Sequence, residues 1–164
     1  MKRENIDSQK LGSSKMIFEF DGDYAFLSNF YDAPCDYEGI HYPTVEHAFQ
    51  AAKTLDINGR KAIAAASTPG KAKRMGRSVV LRPDWEEVKV DVMRDCLRSK
   101  FRNTNLRRLL LATGDEELME GNFWCDNVWG NCLCKKCQDT PGRNMLGMLL
   151  MDLRTEIRYE VESK

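Results

Sequence analysis

Glu46, Gln50 and Lys53 stand four and three residues apart in one short stretch of the chain. On a helix that spacing points a carboxylate, an amide and an ammonium from one face. A carboxylate so placed can stabilise the positive charge that develops on an anomeric carbon when a glycosidic bond opens, and can orient or deprotonate water. Lys53 would position that carboxylate or the leaving group. The plainer role for Glu46 is electrostatic support of a helix start, and as a first-turn carboxylate it is expected at the surface. Nothing in the chain matches a metal-hydrolase motif or a nucleophilic triad.

Other groups suit a phosphorylated, base-bearing ligand. Lys71, Lys73, Arg74 and Arg77 crowd together beside small-residue breaks. Arg74 and Arg77 are the expected phosphate holders, because a guanidinium bonds phosphate through two nitrogens; the alternative is a solvated helix end. Residues 122–131 mix Trp124 and Trp129 with Asp126, Asn127 and Asn131 and show no period, which predicts an ordered loop. Trp129 offers a flat face to a base and Gly130 permits a tight turn beside it, or the tryptophans plug the core edge. Trp85, at a helix start, either packs or lines a base pocket. Arg143 and Asn144 open the last helix, whose free N–H groups suit an anion, although an ordinary Asn N-cap reads the same way.

The cysteines form a separate constellation, Cys125-x6-Cys132-x-Cys134-x2-Cys137. Four thiolates in one loop can close a tetrahedral structural zinc site; free thiols in an insert, or redox chemistry, are the alternatives. Cys35 and Cys96 stand apart.

The elements that must position these groups follow from pattern. Thr44 can cap the helix that bears Glu46. Residues 16–20 suit a first strand and 117–121 a short one. Asn58-Gly59 is read as a break before a helix over 60–66, and residues 67–70 as a second break before helical turns over 71–75. Asp84 is expected to cap a helix from Trp85 to about Phe101, with Val88, Val92, Met93, Cys96 and Leu97 apolar. Further helices are predicted over 106–112 and from Asn144 to about Tyr159, the last with Leu146, Leu149, Leu150, Leu153 and Ile157 as its buried stripe. The fold class is α+β, a single compact, mainly helical domain over 15–164 with a few short strands and a Cys-rich loop over 125–142. Residues 1–14 are polar and read as a mobile arm.

Asn29-Phe30, the stretch from Tyr42 to Lys53, Arg74 to Arg77, Asp84-Trp85, Trp129-Gly130 and residues 142–147 resemble, in that order, the motifs of the NADAR superfamily, whose better known members are the YbiA-like N-glycosidases. The resemblance spans about residues 16–160. It implies hydrolysis of an N-glycosidic bond between a phosphorylated ribose and a nitrogen base, with Glu46, Lys53 and Asn131 catalytic and no cofactor required. It implies substrate contacts from Asn29, Phe30, Gln50, Arg74, Arg77, Trp85, Trp129, Gly130, Arg143 and Asn144. The family commonly has Asp where Asn131 stands, so either Asp126 replaces that carboxylate or activity changes.

The implied substrate is a small phosphorylated ribosyl-pyrimidine of the riboflavin pathway, of the 5-amino-6-(5-phosphoribosylamino)uracil type. The alternatives are removal of ADP-ribose from guanine in nucleic acid and a non-catalytic NAD or ADP-ribose-binding module. With 25 basic and 25 acidic residues the chain has no net charge, which leans toward the small molecule over a general polyanion. No apolar run approaches a bilayer span, so no membrane partner and a cytoplasmic location are expected.

Overall fold

The computed structural model describes residues 15–164; the expected arm, residues 1–14, lies outside the described residues. The described residues form six α-helices, a 3-10 helix, Gly22–Leu27, and three two-stranded sheets. Strand β1, Met16–Ile17, runs parallel to β4, Glu117–Leu118, so the predicted first strand is only two residues long. Strands β2, Cys35–Tyr37, and β3, Ile40–Tyr42, form an antiparallel hairpin whose turn places Glu38 and Gly39 at positive φ. Strand β5, Gly121–Asn122, pairs in parallel with β6, Asn131–Cys132. The fold is α+β, as its helices and scattered strands predict.

Helix α1, Val45–Ala51, is the centre of the packing. All seven of its residues are buried, and it lies against α2, Ile57–Ala64, α3, Pro69–Gly76, and α4, Trp85–Lys100. Its start is doubly tied. The Thr44 hydroxyl accepts from the His47 backbone N–H at 3.2 Å, and the same oxygen meets His47 Nδ1 at 2.8 Å. His47 Nε2 donates to the Ala66 carbonyl at 2.9 Å, so this buried imidazole is a clip between helix and loop. A helix this short is stable only through tertiary packing, and small residues permit the approach. A Cβ at Gly76 of α3 would sit 2.0 Å from Gln50 Oε1.

Three expected boundaries differ. Asn58-Gly59 does not break the chain: Asp56 Oδ1 accepts from the Asn58 N–H at 3.0 Å, and the pair forms the first turn of α2. Residues 67–70 both break the chain and start α3: Ser67 and Thr68 separate it from α2, Thr68 is its cap, and Pro69 stands in the first turn, where its missing N–H costs nothing. Asp84 precedes α4 without capping it through its side chain, because both carboxylate oxygens are taken by Arg82, at 2.7 and 3.1 Å. Helix α5, Thr104–Ala112, is capped by Asn103. Helix α6, Met145–Glu162, buries the predicted stripe of Leu146, Leu149, Leu150, Leu153 and Ile157, each contributing roughly 1.5–3 kcal/mol by transfer from water. Among the described residues no helix is long and apolar enough to cross a membrane.

Candidate active site

Glu46 is not at the surface. It is 7% exposed, its backbone N–H donates to the Asn29 carbonyl at 3.1 Å, and its Oε1 accepts from Gln50 Nε2 at 2.8 Å. A carboxylate in such a place is costly to ionise. Burial pushes its pKa above the usual carboxylate range and Asp126 adds to this, while the Gln50 bond and the charges of Lys73 and Lys53 pull it down. Lys53 lies just past the C-cap of α1, half-buried, with its ammonium 5.9 Å over the Phe49 ring. Burial lowers its pKa, the Glu46 charge raises it, and Lys73 and Arg77 lower it further. Of the predicted trio, Glu46 and Gln50 are therefore buried together on α1, with Lys53 half-buried just beyond its end.

The structure adds three groups to that face. Glu120 stands between β4 and β5, and burial, reinforced by the charges of Asp126 and Glu46 and opposed by Lys73, pushes its pKa up to about 8. Its N–H donates to Asn144 Oδ1 at 3.0 Å and its carbonyl accepts from the Asn131 N–H at 2.9 Å, so its backbone is held from both sides. Asp126 acts electrostatically on both glutamates. Lys73 opposes both and lies 6.0 Å over the Phe30 ring. The site is thus a group of carboxylates and ammoniums drawn from α1, α3, the β4–β5 link and the 122–131 loop.

Asn131, expected to be catalytic, uses its Oδ1 to accept from the Gly142 N–H at 2.7 Å. An Asp there would accept the same bond, so the exchange of Asp for Asn is geometrically mild. The Asp126 charge raises both Glu46 and Glu120, and its Oδ1 accepts from the N–H groups of Val128 and Trp129 at 3.0 and 2.9 Å. Asn29 is 7% exposed, with Nδ2 3.6 Å from Met93 Sδ and an Oδ1 that finds no partner among the described residues. Phe30 is 45% exposed beside it.

The aromatic residues separate. Phe49 lies between Trp85, at 5.0 Å, and Trp129, at 5.2 Å and nearly edge-on. Trp85 is 6% exposed and packs in the core, which corrects its expected place in a base pocket. Trp129 is the partly exposed end of this row. Gly130 is needed where predicted, though for another reason: a Cβ would meet the Glu120 carbonyl at 2.2 Å.

The expected anion site at the start of α6 is filled by protein. The N–H groups of Arg143, Asn144, Met145 and Leu146 donate to the carbonyls of Asn127, Gly130, Val128 and Trp129 at 2.8–3.1 Å. These donors, otherwise orphaned at a helix start, dock the loop instead of a ligand. Asn144 is no ordinary N-cap: at φ 49° it turns its side chain to Leu118 O and Glu120 N. The Arg143 side chain is exposed. At the end of α3, Arg77 acts on Lys53, whereas the α3 cation that acts on the glutamates is Lys73 rather than Arg74, whose side chain is exposed. Lys73 was visible in the basic cluster, and only the helix rotation singles it out. Glu120 carried no sequence signal beyond being an acidic residue in an uncapped link.

Comparison with known proteins gives the family. The NADAR domain family matches residues 17–158. N-glycosidase YbiA of Escherichia coli (strain K12) is 43% identical over 145 residues, covering 84% of each chain. A riboflavin biosynthesis protein of Vibrio vulnificus (strain YJ016) is 36% identical over 159 residues, covering 95% of this chain and 41% of that protein. The NMR structure of the Escherichia coli protein YbiA superposes with a TM-score of 0.79 at 40% identity, over 92% of this chain and 89% of that one. The chain belongs to the NADAR family. Its class is that of the N-glycosidases, hydrolases of N-glycosyl compounds.

Proposed function

We propose that the chain hydrolyses the N-glycosidic bond between a phosphorylated ribose and a nitrogen base, and that its substrate is a phosphoribosylamino-pyrimidine of the riboflavin-intermediate type. The observation that carries this reading is the convergence of two glutamates of different origin, Glu46 on α1 and Glu120 on the β4–β5 link: burial raises both carboxyls, the Glu46 charge adds to the rise at Glu120, and Lys73 opposes both. As the base departs, charge builds on the anomeric carbon. Glu46 stabilises that charge and takes a proton from the attacking water, its position held by Gln50. Glu120, pushed up to about 8, is protonated at neutral pH and gives its proton to the leaving nitrogen. Water supplies hydroxyl to the ribose carbon and a proton to replace the one donated, so the base leaves neutral.

Lys53, Lys73 and Arg77 supply cations for the ribose phosphate, in place of the expected Arg74–Arg77 pair. Asn29 Oδ1 is a free acceptor for a hydroxyl or amino group, and Trp129 with Phe30 offers apolar surface to the base. The riboflavin-related name of the Vibrio vulnificus relative supports the small-molecule substrate. Removal of ADP-ribose from guanine in nucleic acid is the second reading, favoured by the exposed Arg74, Arg77 and Phe30 beside the site. Free base, followed by mass spectrometry with each substrate in turn, decides between them. Release from the phosphoribosylamino-pyrimidine, abolished in Glu46→Gln, is the expected result. Release from ADP-ribosylated guanine alone transfers the activity to the second reading, and binding of ADP-ribose without release leaves a receptor.

A further inference from the structure

Cys125, Cys132, Cys134 and Cys137 converge although they come from different parts of a loop that contributes almost nothing to the core. Their sulfurs all lie within 4.8 Å of one another, and Cys125 Sγ is 3.7 Å from Cys134 Sγ. Four thiolates around one zinc, with bonds of about 2.3 Å, have sulfurs about 3.8 Å apart along each tetrahedral edge. A disulfide would bring two of them to about 2.05 Å, and all six cysteines are free. The backbone is arranged for sulfur as an acceptor: the Cys125 N–H points at Cys132 Sγ at 3.2 Å, and a turn from Cys134 O to Cys137 N, 3.0 Å, closes the last pair. Cys125 stands at φ 63°, a conformation that costs a non-glycine residue about 1–2 kcal/mol and persists only where something holds it.

We propose that these four cysteines bind one zinc ion in a closed thiolate site that clamps the loop carrying Asp126 and Trp129. Zinc suits a site with four protein sulfurs and no open position, because it is redox-inert and imposes no geometry of its own beyond the tetrahedron the ligands make. On binding, the four thiols release their protons and the site carries two net negative charges, which the adjacent exposed Lys135 and Lys136 offset. Beyond the β5–β6 pairing and the bonds of Asn122 and Asn127, the loop has little apolar packing at this end. Leu133 is 43% exposed, and Phe123 and Trp124 are 63% and 62% exposed. At its other end the loop docks on the start of α6 through the carbonyls of residues 127–130. Asp126 falls between the two anchors and Trp129 lies within the second, so the metal fixes one wall of the glycosidase site. That consequence rests on the proposed function; the metal site itself does not.

The test begins with metal content. Full-length protein purified without chelator should carry about one zinc per chain by mass spectrometry of the metals. Cobalt in its place should show sulfur-to-cobalt charge-transfer and tetrahedral d–d bands. Cys134→Ser and Cys137→Ser should lose both. Removing zinc by a thiol-reactive mercurial and chelator should speed amide exchange of residues 126–133 at least about tenfold while α1 stays protected. Folded, reduced protein without zinc overturns the site, as does iron in its place or paired disulfides in the native chain. Zinc present with unchanged exchange at 126–133 overturns the clamp. Base release is measured in parallel, and a protein that binds zinc yet cleaves neither substrate refutes the function and leaves the metal site standing.

Discussion

Glu46 stands on a helix whose seven residues are all buried, whereas Glu120 and Asp126 stand on chain segments held in place by side-chain amides. On the α1 wall, position comes from apolar packing on three helices and the Thr44–His47 clip. On the opposite wall it comes from single hydrogen bonds: Asn122 Nδ2 to the Asp126 carbonyl at 2.7 Å, Asn127 Oδ1 from the Cys132 N–H at 2.8 Å, and Asn144 bridging Leu118 and Glu120. Packing spreads an error over many neighbours. Point hydrogen bonds concentrate it, so the two walls should fail differently.

The largest effect is expected at Glu46. Glu46→Gln should lower kcat/KM for base release by about 10²–10⁴-fold. Its melting temperature should hold or rise, since a neutral isostere replaces a buried carboxylate. Glu46→Ala is the harsher change, because it strands Gln50 Nε2 in the interior at a cost of about 1–3 kcal/mol by denaturant titration. A melting temperature that collapses in Glu46→Gln would show that the packed wall depends on the charge.

Next comes Gly130→Ala on the loop wall. Its Cβ would meet the backbone oxygen of Glu120 at 2.2 Å, and backbone cannot yield without parting β5 from β6. A loss of about 3 kcal/mol in urea unfolding is expected. Gly76→Ala sharpens the contrast. Its Cβ would lie 2.0 Å from Gln50 Oε1, but a side-chain amide can turn away. Stability should fall by only about 1 kcal/mol, while activity drops about tenfold through the lost Gln50–Glu46 bond.

The most specific effect concerns Glu120. Its folded pKa is raised from the ordinary 4.5 to about 8, so between those values the folded chain holds a proton that the unfolded chain has released. The stability this contributes is fully present below about pH 4.5 and is lost as pH rises to about 8. Glu120→Gln should therefore flatten the decline of the melting temperature over that window, with roughly 5 kcal/mol as the ceiling. It should also remove the alkaline limb of the rate profile, near pH 8, that a protonated acid predicts. A limb that survives the substitution assigns the proton donor elsewhere.

Much of the helical framework was legible because its signals are local. Thr44 and the leucines of α6 cap and face as their spacing predicts. The errors fall where a local signal has two uses. Asn58-Gly59 and Thr68-Pro69 break chains and also start helices, and only the bonds they accept decide which. The free N–H groups of α6 suit an anion, yet a loop from residues 127–130 reaches them first.

The sequence by itself determined the family, the Glu46–Gln50 pair of α1, and the close grouping of four cysteines. Those features depend on residue type and short spacing, which the 3.6-residue turn converts directly into a shared face. Tertiary structure decided the rest. It buried Glu46, chose Lys73 over Arg74, turned Asn131 to Gly142, and brought Glu120 across from a link 74 positions away. Burial and charge coupling are properties of what surrounds a group, and here those surroundings come from elements distant in the chain.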